Sequence, residues 1–122
     1  MIDADKSAER KGVLGVGVDV VEFDRFKKLK RPERIAELVL TPIEYDIYIA
    51  HPATLLYLAS RFAAKEAVIK AYPGELHYHD FEIIKEGKKP RVKLLIPNPF
   101  KLRMFVSLSH STDYVAGFAV AV

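Results

Sequence analysis

There is no cysteine among the 122 residues, which removes disulfides, thiol nucleophiles and cysteine-based zinc sites. No apolar run approaches the ~20 residues of a membrane-spanning helix, because Arg, Lys, Asp, Glu or Pro interrupts every stretch. Residues 1–11 are polar, mixed in charge and without periodicity, so they read as a loosely packed lead-in and not as a signal peptide. Internal repeats and low-complexity segments are missing, and so is a phosphate-binding Gly-Lys-Ser/Thr loop. These absences lead to the expectation of one domain over residues 12–122, in a cytoplasmic protein that stays out of the membrane.

Half the residues are apolar, 29% are charged and the net charge is +3, which suits a globular chain with a mildly basic surface. Such a balance accommodates nucleic acid, a polyphosphate ligand or an acidic protein partner without choosing among them.

Gly12 to Val21 is dense in β-branched residues and reads as a strand. Leu14, Val16, Val18 and Val20 make one apolar face. The other face carries Gly15, Gly17 and Asp19. Two glycines before an acid point either to a ligand approaching the backbone or to another element packed closely over them. Glu22 to Lys30 reads as a short helix with acids first and lysines last, as the helix dipole prefers. Phe26 and Leu29 face inward there, leaving Arg25, Lys27 and Lys28 as a basic outer surface. Pro32 opens the next helix. Thr41-Pro42-Ile43-Glu44 then has the pattern of an N-cap, a first-turn proline and a capping-box glutamate.

The run from Leu55 to Tyr72 has no Gly or Pro and is rich in Ala and Leu, so it predicts a long helix. Leu55, Ala59, Phe62, Glu66 and Lys70 fall within about 80° of arc on that helix. Glu66 therefore sits in an apolar stripe, where an ionised carboxylate is costly unless paired or metal-bound. One reading is an i, i+4 pair with Lys70, worth a few tenths of a kcal/mol; the other is a functional carboxylate.

Tyr72-Pro73-Gly74 ends the helix. Phe81 to Ile84 and Arg91 to Ile96 read as a hairpin around a basic turn, and Leu102 to His110 with Tyr114 to Val122 as a second one. His77 and His79 have a spacing some metal sites use, but no third ligand is near and they read as loop histidines. Ser109-His110-Ser111 does not make a nucleophilic triad, since neighbours on a strand point to opposite faces.

Gly17-Val18-Asp19-Val20-Val21-Glu22, Arg61-Phe62-Ala63-Ala64-Lys65-Glu66-Ala67-Val68-Ile69-Lys70 and Ser107-Leu108-Ser109-His110-Ser111 stand in that order. In order and spacing they resemble the holo-acyl-carrier-protein synthase group of the 4′-phosphopantetheinyl transferases. The likeness runs from Gly12 to Val122. It implies an α+β, trimer-forming fold in which a long central helix is wrapped by a small antiparallel sheet, with active sites between neighbouring subunits. The implied reaction moves phosphopantetheine from coenzyme A to a serine of apo-acyl carrier protein, leaving adenosine 3′,5′-bisphosphate, with Mg2+ as cofactor.

By the same resemblance, Asp19 and Glu66 match magnesium positions, and Glu66 helps remove the serine proton. Lys70 neutralises charge on the leaving phosphate. Arg61, Lys65 and His110 match positions near the coenzyme A phosphates, His110 coming from the neighbouring subunit. Arg25 matches a helix contact to the acidic carrier protein. Two places depart from the family pattern: Tyr72-Pro73-Gly74-Glu75, where a small glycine-rich loop is usual, and Pro97 to Lys101, where another helix often stands. The competing reading is a non-catalytic basic module that binds nucleic acid or an acidic protein. A single-strand binder needs exposed aromatics among its cations, whereas most Phe and Val here are expected in the core.

Overall fold

Alanine recurs down one side of the longest helix, and that side is where the sheet sits. The computed structural model describes residues 12–99 and 101–122, so the lead-in expected over 1–11 lies outside the described residues. In chain order the elements are β1 (Gly15–Glu22), α1 (Phe23–Lys27), α2 (Pro32–Val39), α3 (Pro42–Ala50) and α4 (Thr54–Ala71). A 3-10 turn over Tyr78–Asp80 follows, then β2 (Phe81–Glu86), β3 (Lys89–Leu94), β4 (Met104–His110) and β5 (Tyr114–Ala121). The result is the expected α+β arrangement of a long helix against antiparallel strands.

The strands divide into a three-stranded sheet, ordered β1-β5-β4, and a separate β2-β3 hairpin. Gly87, with φ +64°, makes the left-handed turn of that hairpin. Between β3 and β4 lie Pro97 and Pro99, which have no N–H to offer a ladder. Every pair in the larger sheet is antiparallel, and Asp19 of β1 stands opposite Gly117 of β5, itself opposite Leu108 of β4.

Helix α4 lies on the inner face of this sheet at backbone contact. Ala63, Ala64, Ala67 and Ala71 are buried along its contact side. A Cβ on Gly15 would overlap the carbonyl oxygen of Ala71, and one on Gly17 that of Ala67. One on Gly117 would stand 2.6 Å from the carbonyl oxygen of Ala63. The two glycines of β1 are thus explained by helix packing, the second of the two readings the sequence allows.

Helices α1 to α3 cover the N-terminal half of α4 through Phe26, Val39 and Tyr48 packed near Leu58 and Ala63. The C-terminal half is closed by Phe81 and Ile83 of the hairpin with Met104 and Ala119 of the sheet. The cap at α3 forms as the sequence predicts: Thr41 N donates to Glu44 Oε1 at 2.9 Å and Glu44 N to Thr41 Oγ1 at 3.4 Å.

The outer face of the sheet is apolar and open. Val16, Val18 and Val20 are 58%, 57% and 60% exposed, and Phe105 and Phe118 about half exposed beside them. The expectation that most Phe and Val are core residues fails on this face. Period-two alternation marks which residues share a face, not which face is covered.

Gly17→Ala is expected to destabilise the protein by about 3 kcal/mol, because the added methyl meets helix backbone that cannot step aside. Thermal or urea unfolding against the wild type checks this, and an unchanged midpoint would contradict the packing described.

Candidate active site

Close seating of α4 on β1 decides which side chains meet. Asp19 is one alternation beyond Gly17 on the inner face of β1, and Lys70 comes over the strand from the last turn of α4, its Cβ beside Gly17. Lys70 Nζ donates to the Val18 carbonyl at 2.9 Å and to Asp19 Oδ1 at 3.2 Å. The Lys70 side chain is 51% exposed and that of Asp19 18%. The ammonium therefore stands at a solvent-facing mouth with the carboxylate behind it. The i, i+4 pair between Glu66 and Lys70 does not form: the cation is taken across the sheet by Asp19.

Glu66, half-buried one turn earlier, accepts a short hydrogen bond on Oε2 from the hydroxyl of Tyr78. The Tyr78 phenol is pushed up to about 12 by burial first, then by the bond to Glu66, the charge of Glu66 and the charge of Asp19. It stays a proton donor through the neutral range. Tyr78 carried no signal in the sequence: the contact crosses from a loop to a helix and follows no local spacing.

Lys65 is a correction. Expected beside coenzyme A phosphates, it has a fully buried side chain (0% exposed) on the other side of the helix. Its ammonium pairs with Glu44 Oε1 at 2.7 Å and donates to the carbonyls of Tyr78 at 2.6 Å and Phe81 at 2.9 Å. All three of its protons are used, so none remains for a phosphate. Burial pushes the Lys65 ammonium down, with the Glu44 charge opposing. Glu44 in turn accepts from Ile83 N at 2.7 Å, and Thr41 Oγ1 donates to Glu82 Oε2 at 2.7 Å. This network ties the start of α3, the middle of α4 and the start of β2 together. The capping-box pattern exposed only its local half.

Arg61 is placed differently. Its guanidinium lies over the Tyr57 ring at 4.6 Å, and its Nε is buried with no hydrogen-bond partner among the described residues. His110 is exposed at the end of β4, opposite Val115. It is two strands from β1, about 10 Å across the sheet, so one chain does not bring it to the two acids. His77 caps the 3-10 turn and pairs with Glu75 at 3.2 Å, which accounts for it as a loop residue.

Depressions in the surface include the following two. One of about 650 Å³ is lined by Asp19, Glu22, Arg25, Phe26 and Phe62, so the basic helix α1 and the acid of β1 share a surface. The other, about 870 Å³, runs between β3 and β4 with Lys89, Arg91 and Arg103 among its lining, away from the acids.

Among the described residues no three His, Cys, Asp or Glu side chains converge. Asp19 and Glu66 supply two hard oxygen donors on rigid elements. That set fits magnesium, which binds through one or two carboxylates and leaves its other positions to water and substrate phosphates. It does not fit a cation held by protein alone.

A family model described as the 4′-phosphopantetheinyl transferase superfamily matches residues 15–119. The chain is 36% identical over 110 residues to the holo-[acyl-carrier-protein] synthase of Pediococcus pentosaceus, spanning 84% of this chain and 91% of that protein. It is 37% identical over 110 residues to the Streptococcus uberis protein of the same name, with the same coverage. Among solved structures, the Neisseria meningitidis holo-[acyl-carrier-protein] synthase superposes with TM-score 0.78 at 28% identity, covering 91% of this chain and 99% of that one. The Bacillus anthracis synthase in complex with CoA (3′,5′-ADP) gives TM-score 0.74 at 26% identity, covering 89% and 96%.

Lys65→Met is expected to cost about 3–5 kcal/mol, since it leaves the buried Glu44 carboxylate without its cation. Denaturant unfolding measures it; a stable variant altered only in ligand affinity would return Lys65 to the binding surface.

Proposed function

This chain belongs to the 4′-phosphopantetheinyl transferase superfamily, and from that membership we propose that it works as a holo-[acyl-carrier-protein] synthase. It transfers the 4′-phosphopantetheine group from coenzyme A to a serine of apo-acyl carrier protein and releases adenosine 3′,5′-bisphosphate. The relatives carrying that name match along most of the chain, and the Bacillus anthracis neighbour was solved with CoA (3′,5′-ADP). At residue level the reading is supported by the Lys70–Asp19 pair at a solvent-facing edge of the helix–strand seam, with Glu66 one helical turn before Lys70. Nothing in the comparisons favours the alternative of a non-catalytic basic module.

The serine oxygen bonds to the phosphorus that carries pantetheine, and the bond from that phosphorus to the bridging oxygen breaks. The serine loses its proton as the nucleotide departs with the bridging oxygen. Glu66, whose Oε2 accepts from Tyr78, is the carboxylate we assign to accept that proton, through its other oxygen. Lys70, already exposed and held by Asp19, meets the negative charge that grows on the leaving phosphate. Asp19 and Glu66 would hold Mg2+, which when bound supplies charge neutralisation for the pyrophosphate oxygens. Arg61, stacked on the Tyr57 ring, is assigned to a coenzyme A phosphate by its place in the family motif. Lys65 takes no part in binding.

Arg25, in the same depression as Asp19, with Lys27 and Lys28 beside it on α1, gives an acidic carrier protein a basic landing surface. A homotrimer is the assembly we assign. The open apolar face of Val16, Val18, Val20 and Phe118 needs a cover, and the remote position of His110 fits its use by a neighbouring subunit. No helix among the described residues is long and apolar enough to cross a membrane, and a cytoplasmic setting suits the soluble substrates.

Incubation of apo-carrier protein with coenzyme A, magnesium and this protein is expected to add one phosphopantetheine, read by intact mass, with a trimer in sedimentation equilibrium. Glu66→Gln should lower the transfer rate by about 10²–10⁴-fold while the assembly persists. Unmodified carrier protein from folded wild type would overturn the assignment, and full activity in Glu66→Gln would overturn the role of that residue.

A further inference from the structure

We propose that Tyr78 is a positioning residue for the transfer site, fixing the Glu66 carboxylate by its Oε2 so that Oε1 is presented to metal and substrate. The proposal rests on reading Glu66 as the carboxylate that serves both.

Tyr78 is held at two points by consecutive residues of one helix. Lys65 Nζ donates to its main-chain carbonyl at 2.6 Å, and its own hydroxyl donates to Glu66 Oε2. The rest of its turn is fixed too. His77 N donates to Asp80 Oδ2 at 2.8 Å, and Asp80 N to the His77 carbonyl at 3.0 Å. Lys65 cannot yield, because Glu44 and the Phe81 carbonyl hold it, and Glu44 is anchored by Thr41 N and Ile83 N. The capping box of α3 thereby reaches the candidate metal ligand through a chain of polar contacts, buried at Glu44 and Lys65 and part-buried at Tyr78 and Glu66.

The chemistry explains what such a chain does. A glutamate has three side-chain torsions, and a free one samples rotamers that a bond to one of its oxygens excludes. An outer partner that fixes a ligating carboxylate raises metal affinity, and removing such partners costs about 10–100-fold. If the bond merely satisfied a half-buried hydroxyl, its loss would lower stability and leave metal affinity alone.

Tyr78→Phe keeps the ring and removes only the bond. Binding of Mn2+ to the intact assembly, in the presence of coenzyme A, is followed by the free-ion electron paramagnetic resonance signal. The variant is expected to bind Mn2+ about tenfold more weakly, with KM for coenzyme A at saturating metal within about twofold of wild type. Its transfer rate should recover as Mg2+ is raised. Unchanged Mn2+ affinity in a folded Tyr78→Phe protein overturns the positioning role while leaving the transferase reading in place. Failure of the wild type itself to bind Mn2+ overturns the reading of Glu66, and with it this proposal.

Discussion

Everything in this fold follows from how closely α4 lies on the sheet. Helix and strand usually meet through side chains; here the carbonyls of Ala63, Ala67 and Ala71 rest on Gly117, Gly17 and Gly15. Small residues on both surfaces remove the layer that would hold the backbones apart. At that separation a lysine on the last turn of the helix lies along β1 and bonds the Val18 carbonyl and Asp19. With a larger residue at position 17, Asp19 and the helix would part. The geometry of the candidate site is a consequence of backbone packing more than of its charged groups.

The second constraint is the buried ion pair of Lys65 and Glu44. A charge pair out of water recovers its desolvation cost only when the remaining donors and acceptors are satisfied. Here they are: Lys65 has three acceptors, and Glu44 takes two backbone N–H groups besides. A hydrophobic pair could hold α3, α4 and β2 together equally well. Directional bonds add a definite orientation for the segment around Tyr78, which borders Glu66. Along α4, Lys65 is turned into the interior, whereas Glu66 is half-buried and Lys70 is exposed.

Features governed by neighbouring residues were legible in the sequence. Thr41 to Glu44 formed the capping box it spelled out, Tyr72-Pro73-Gly74 ended the helix, and the two hairpins closed where Gly87 and Ser111 to Asp113 suggested. Glu66 stood out because a carboxylate within an apolar stripe is costly without a partner, whereas the roles proposed for Asp19 and Lys70 came from the resemblance. Contacts between distant segments were not legible. Helical spacing offered Lys70 to Glu66, yet a strand more than fifty residues earlier in the chain supplied the partner that won. The motif containing Lys65 suggested a phosphate contact, but the helix turns that residue inward to a glutamate from α3. Tyr78 had no periodic or compositional mark at all. The alternation of β1 was plain, but which of its faces meets solvent depended on where α4 came to rest.

The central claim is that two carboxylates, one from β1 and one from α4, form a single cation site beside Lys70. Crystals of the protein grown with coenzyme A and Mn2+ would test it by anomalous scattering. A peak about 2.1 Å from an oxygen of Asp19 and of Glu66 is expected. Mn2+ found elsewhere in crystals containing bound coenzyme A, with neither carboxylate among its ligands, would contradict it.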